Sequence, residues 1–131
     1  MKRGLRADAS ELTGMAARSI AFTMYPVTDI PRAVKFYEEA LGLKKQGLES
    51  DFWVEFDVDG GTFGVGNFEQ VGKPGTAQSL ALEIDDLDRL RSHLKQHGVE
   101  SSEPHDLQNC RISVVSDPDG NQVWLHQRKT S

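Results

Sequence analysis

The stretch Ser116-Asp117-Pro118-Asp119-Gly120-Asn121-Gln122-Val123-Trp124-Leu125-His126 decides how the rest of the chain is read. Asp117 to Gly120 has the composition of a reverse turn. Pro fixes φ on the way in, Gly supplies a positive φ, and the aspartates can accept from nearby backbone N–H groups. Ile112 to Val115 lies on one side and Val123 to His126 on the other. Both are rich in β-formers, so the segment predicts a hairpin.

Working upstream, a fainter copy of the same pattern emerges. Ser19 to Tyr25, with Ile20, Phe22 and Met24, predicts a first strand. Thr28 or Asp29 can cap a following helix, and Pro31 fits its first turn, where the missing N–H costs nothing. Ala33, Val34, Tyr37 and Leu41 share a helical face, and Gly42 is placed to end it. Phe52 to Val58 and Thr62 to Asn67 predict two strands around Asp59-Gly60-Gly61. The order then returns. Ser79 to Ile84 predicts a strand, Asp86 a cap, Leu87, Leu90 and Leu94 a helical face, and Gly98 its end. Ser101 to Gln108 is irregular and leads into the hairpin. Asp29 to Asp86 spans 57 positions, Gly42 to Gly98 spans 56 and Gly60 to Gly120 spans 60. Three landmarks at nearly one offset predict a duplicated βαβββ unit.

Composition bounds the function classes. A chain of 131 residues suffices for one domain with its own core. The net charge of −5, without a concentrated basic patch, argues against a nucleic-acid partner. No apolar run approaches the ~20 residues of a membrane span. Cys110 is the only cysteine, so no intrachain disulfide can form, and a reducing, cytoplasmic compartment is expected. Residues 1–18 are basic but lack an apolar run, and are expected to be a tail outside the domain of residues 19–131. Within that domain the first module is placed at about residues 19–68, a linker at 69–76 and the second module at about 77–128.

The chain resembles the vicinal oxygen chelate superfamily, which includes glyoxalase I, bleomycin-resistance proteins and extradiol dioxygenases. The residues that carry the resemblance are Val27-Thr28-Asp29-Ile30-Pro31-Arg32-Ala33 with Phe36-Tyr37 and Leu41-Gly42-Leu43, then Leu80 to Leu87, then Asp117-Pro118-Asp119-Gly120-Asn121 with Leu125. It implies an α+β fold: two tandem βαβββ modules, a curled mixed sheet around a cleft, and helices on the outer face. It also implies a homodimer.

Strand alternation assigns faces. Val123 and Leu125 are expected under a helix, leaving Gln122, Trp124 and His126 for the cleft. Leu80, Leu82 and Ile84 go to the core, and Ser79, Ala81 and Glu83 to the cleft. Phe52, Val54, Phe56 and Val58 form the apolar side of their strand, with Trp53, Glu55 and Asp57 opposite. Phe63 and Val65 go to the core, and Thr62, Gly64 and Gly66 to the cleft. Register within the resembled family places Phe22, with Ile20 and Met24, in the cleft.

The family's divalent-metal site takes one residue, typically His or Glu, from each of four strands. Carried onto this chain, those positions are Phe22, Gly64, Ser79 and Trp124, none of which is a ligand for Zn, Ni, Fe or Mn. No metal and no cofactor is therefore expected. A displaced metal site would have to use Glu55, Glu83 and His126. The cleft set is Phe22, Met24, Trp53, Glu55, Gly64, Ser79, Glu83, Trp124 and His126, in which aromatic faces and carboxylates suit a flat or cationic small molecule. This resembles the metal-free bleomycin-resistance proteins. His126 is the candidate general base for the alternative, a lyase, isomerase or hydrolase, and a structural role near its strand end is equally open.

Overall fold

A computed structural model describes residues 13–130, so residues 1–12 of the expected tail lie outside the described residues. The first unit runs β1 (Thr23–Pro26), α1 (Ile30–Lys35), β2 (Lys44–Glu49), β3 (Trp53–Val58) and β4 (Gly61–Gly66). The second runs β5 (Leu80–Glu83), α2 (Leu87–Gln96), β6 (His105–Asp106), β7 (Cys110–Ser116) and β8 (Gln122–Arg128). The duplication is exact in topology. Sheet 1 has the order β1-β4-β3-β2 and sheet 2 the order β5-β8-β7-β6, so the mixed α+β fold is built from two four-stranded sheets. In each, the first strand pairs parallel with the last, and the other pairs are antiparallel.

The landmarks behave alike in both units. The Asp29 carboxylate accepts from the amide of Arg32, and the Asp86 carboxylate from that of Arg89. Each thereby satisfies one of the free N–H groups of a helix start. Gly42 and Gly98 end the helices at φ of 75° and 74°, a conformation that costs other residues steric strain. Helix α1 departs from its counterpart in one respect. It widens into a π-helical turn over Phe36–Ala40, closed by the Leu41 amide on the Phe36 carbonyl at 3.2 Å. The adjacent Phe36 and Tyr37 are both buried in this turn.

One core serves both units. Tyr25, Tyr37, Phe56 and Phe63 from the first are buried with Leu82, Leu87, Leu94, Val115, Val123 and Leu125 from the second. Each large apolar side chain stabilises the fold by roughly 1.5–3 kcal/mol. The Asp117–Asn121 turn is the polar joint between units. The Asp117 carboxylate accepts from the Tyr37 hydroxyl at 2.8 Å, the Asn121 amide side chain at 2.8 Å and the backbone amides of Asp119 and Asn121 at 2.9 Å. Asn121 also donates to the Pro26 carbonyl, and its oxygen accepts from the Gly75 and Ala77 amides. Burial, reinforced by the Asp117 charge, pushes the Tyr37 phenol far up, so it stays a donor. Tyr25 closes the joint from below, donating to the Gln122 carbonyl at 2.6 Å and accepting the Leu80 amide at 2.7 Å.

The differences from expectation lie at the edges. The first strand starts at Thr23, not Ser19, so Phe22 precedes it. Ser79 likewise precedes β5. Phe52 is not on the packed side of its strand. It sits ahead of β3 and is 63% exposed, while Val54 and Phe56 are buried as the alternation requires. Strand β2 was not anticipated, because Lys44-Lys45-Gln46-Gly47-Leu48-Glu49 is an exposed edge without alternation. The stretch from Ser101 to Gln108, expected to be irregular, contains the two-residue β6. Among the described residues no helix is long and apolar enough to cross a membrane.

Candidate functional site

Each sheet buries one face in the core and leaves the other open, and the expected cleft residues lie on these open faces. On sheet 1, Met24 stands beside Gly64 in the parallel β1–β4 register, and Trp53 and Glu55 come from β3. The indole of Trp53 lies flat over β4. A side chain at Gly64 would place its Cβ 2.3 Å from the indole, and one at Gly66 would place it 2.9 Å away. Only glycine leaves room for the ring. Phe22 meets Trp53 edge-on at 5.4 Å between ring centres, and Phe68 packs against it at 6.1 Å. The Trp53 indole N–H donates to Glu55 at 2.9 Å, and the other Glu55 oxygen accepts the Leu48 amide at 3.2 Å. Glu55 is therefore a brace for the indole rather than a free carboxylate.

On sheet 2, Trp124 projects from β8 and is 41% exposed. His126 follows on the same face, opposite Glu83 of β5 and Ile112 of β7. Its Nδ1 is 2.6 Å from Glu83 Oε1. The other Glu83 oxygen accepts the Arg128 amide at 2.7 Å. The Arg128 amide first, and His126 second, hold the Glu83 carboxyl below the usual range, so it stays ionised. Val114 stands opposite Trp124 and is half-buried. Ser79 sits beside the Tyr25 hydroxyl at the joint, away from this group.

The sequence-predicted set is thus gathered as two groups. Phe22, Met24, Trp53, Glu55 and Gly64 share one face, and Glu83, Trp124 and His126 share the other. Among the described residues no hydrogen bond or ring contact links Trp53, Phe22 or Glu55 to Trp124, Glu83 or His126. Phe68, Ile112 and Val114 were missed. Phe68 follows Asn67 directly beyond its strand, outside the reach of alternation, whereas Ile112 and Val114 were readable from the parity of β7.

The positions implied for a metal do not fit one. Phe22 and Trp124 offer rings, and the space above Gly64 is filled by Trp53. The displaced set is split as well, with Glu55 on sheet 1 and the Glu83–His126 pair on sheet 2. Among the described residues no three His, Cys, Asp or Glu side chains converge on a common point. His93 on α2 and His97 just beyond it have tilted rings with centres 4.2 Å apart, with His93 on the Glu39 carbonyl and His97 on the His93 carbonyl. A groove of about 790 Å³ lies elsewhere, between α1 and the β2–β3 edge. Its lining carries Lys45 paired with Glu49 at 3.0 Å and Asp29 capping its own helix, and it holds no aromatic side chain.

Comparison with known proteins agrees with the fold. The model of the Glyoxalase/Bleomycin resistance protein/Dioxygenase superfamily matches residues 19–125. The YraH protein of Bacillus subtilis (strain 168), itself uncharacterized, is 26% identical over 117 residues, covering 77% of this chain and 91% of the relative. Among solved structures, TnmS3, an antibiotic binding protein from Streptomyces sp. CB03234, superposes with a TM-score of 0.77 at 27% identity, covering 88% of this chain and 99% of its own. A glyoxalase/bleomycin resistance protein from the same Streptomyces superposes at 0.72 with 29% identity, covering 83% of this chain and 100% of its own.

Proposed function

This chain belongs to the glyoxalase/bleomycin resistance protein/dioxygenase superfamily, and from that premise we propose that it is a metal-free small-molecule binding protein that sequesters a flat aromatic compound. The observation that carries the reading is the seating of Trp53 over Gly64, where the superfamily's metal chemistry would need a ligand side chain. The likeness to an antibiotic binding protein supports it. The aromatic faces supply stacking, and the carboxylates beside them add attraction for a cationic ring system. Glu55 and Glu83 are already engaged as braces, so stacking carries more of the binding than charge does.

The two faces lie on separate sheets within one chain. A second copy that lays its sheet 2 opposite sheet 1 would close Trp53 and Trp124 around one ligand. On this reading the protein works as a homodimer with two equivalent sites. The second reading, an enzyme using His126 as acid or base, is favoured by the 2.6 Å contact with Glu83. A tryptophan-fluorescence titration with a cationic acridine and a neutral anthracene, alongside metal analysis and sedimentation, tests the first. Saturable quenching by both dyes in a metal-free dimer is expected. A stoichiometric bound metal, or a monomer that quenches with neither, overturns it.

A further inference from the structure

The Glu83–His126 pair has a direction. A carboxylate can only accept, so the imidazole must donate through Nδ1 at the 2.6 Å contact. In the neutral ring this leaves Nε2 as the acceptor. Nε2 has no hydrogen-bond partner among the described residues. Glu83 cannot swing away cheaply, because its second oxygen holds the Arg128 amide at 2.7 Å. The result is one aimed acceptor on an open face. Its neighbours are the exposed indole of Trp124 on the same strand and the half-buried Ile112 and Val114 across the ladder. Same-face neighbours on a strand stand about 7 Å apart, close to the length of two fused six-membered rings.

We infer that His126 Nε2 accepts a hydrogen bond from an acidic hydroxyl on the edge of a fused-ring ligand stacked on Trp124, so that this site selects planar phenols and enols over their ethers. The inference rests on the aromatic-binding reading and narrows its ligand class. His126 and Glu83 differ in role here: His126 touches the ligand, and Glu83 positions it by fixing the tautomer. A neutral amine would be drawn to Nε2 as well, but an O–H donor makes a shorter bond than an N–H donor.

Calorimetric titration of the full chain with 2-naphthol and with 2-methoxynaphthalene tests this. The wild-type protein should prefer the naphthol by about tenfold, the worth of one hydrogen bond in a partly desolvated site. His126→Phe keeps a flat ring and removes the acceptor. It should bind both probes alike, at whatever common affinity the new ring gives. Glu83→Gln frees the tautomer and should keep only part of the preference. A tenfold preference that survives His126→Phe, or equal wild-type affinity for both probes, overturns the inference and leaves aromatic binding standing. Binding of neither probe overturns both.

Discussion

The β3–β4 and β7–β8 hairpins are one element built twice, and their open faces distribute bulk in opposite ways. In the first, Trp53 on β3 opposes Gly66, and Glu55 opposes Gly64. In the second, Ile112 on β7 opposes His126, and Val114 opposes Trp124. The ring therefore comes from β3 in one unit and from the partner of its counterpart in the other. Trp53 lies over two glycines with its N–H spent on Glu55. Trp124 has medium-sized neighbours, stands 41% exposed, and sits next to an acid–imidazole pair. Duplication preserved the backbone and let each face take a different part. One is an indole braced over glycines, the other a half-exposed indole beside an acid–imidazole pair. The turns diverge in the same spirit. Asp57 merely caps the Gly60 amide at 3.1 Å in an exposed turn, while Asp117 and Asn121 tie the two units together.

The largest effect should come from breaking that second turn. Asn121→Ala strips buried partners from the Pro26 carbonyl, the Gly75 and Ala77 amides and Asp117. A buried polar group left unpaired costs about 1–3 kcal/mol. Several such groups that relax in part should total about 3–5 kcal/mol. Asp57→Ala, in the equivalent but exposed turn, should cost under about 1 kcal/mol. Urea denaturation of both variants checks the contrast, and equal losses would mean the two turns are equivalent after all.

The parts of the molecule written in local chemistry were legible in the sequence. Asp29, Asp86, Gly42 and Gly98 mark helix ends because capping and positive φ are single-residue requirements, and all four do as expected. Alternation placed Phe63, Val65, Val123 and Leu125 in the core because a strand has only two faces. The edge strand β2 has no buried face, so nothing in Lys44 to Glu49 could signal it. The π-turn was equally silent, since a helical face at Ala33, Val34 and Tyr37 reads the same whether or not the last turn widens. For the site, the residue types on each face were readable, and so was the nearness of Trp53 and Glu55, which are alternate residues of one strand. That Glu83 orients an imidazole depends on cross-strand register, which a single strand does not carry.

A smaller effect should sharpen the contrast between the two tryptophans. In Gly64→Ala the new Cβ would fall 2.3 Å from the Trp53 ring, so the indole must lift off β4 and break from Glu55. Overpacking of this kind costs about 1–3 kcal/mol. Made in a Trp124→Phe background, where Trp53 is the only emitter, the change should shift the emission to the red as the ring meets water. Trp124→Phe alone should cost under about 1 kcal/mol, because its ring is substantially solvated already.

The smallest effect belongs to Glu83, and its pH dependence separates the polar face from the braced one. The Arg128 amide and then His126 hold its carboxyl below the ordinary glutamate value of 4.5. A depressed native value means that the unfolded chain takes up the proton first. The folded state therefore gains from an ionised Glu83 at every pH above 4.5, and loses that gain as the pH falls through the native value beneath it. Wild-type protein should thus be more stable than Glu83→Gln near neutral pH by a small margin, as expected for an exposed pair. The margin should narrow below the glutamate range. Parallel urea denaturations across that range measure it. A gap that stays constant with pH would show that the carboxylate charge does not hold His126, and the directed acceptor on sheet 2 would lose its brace.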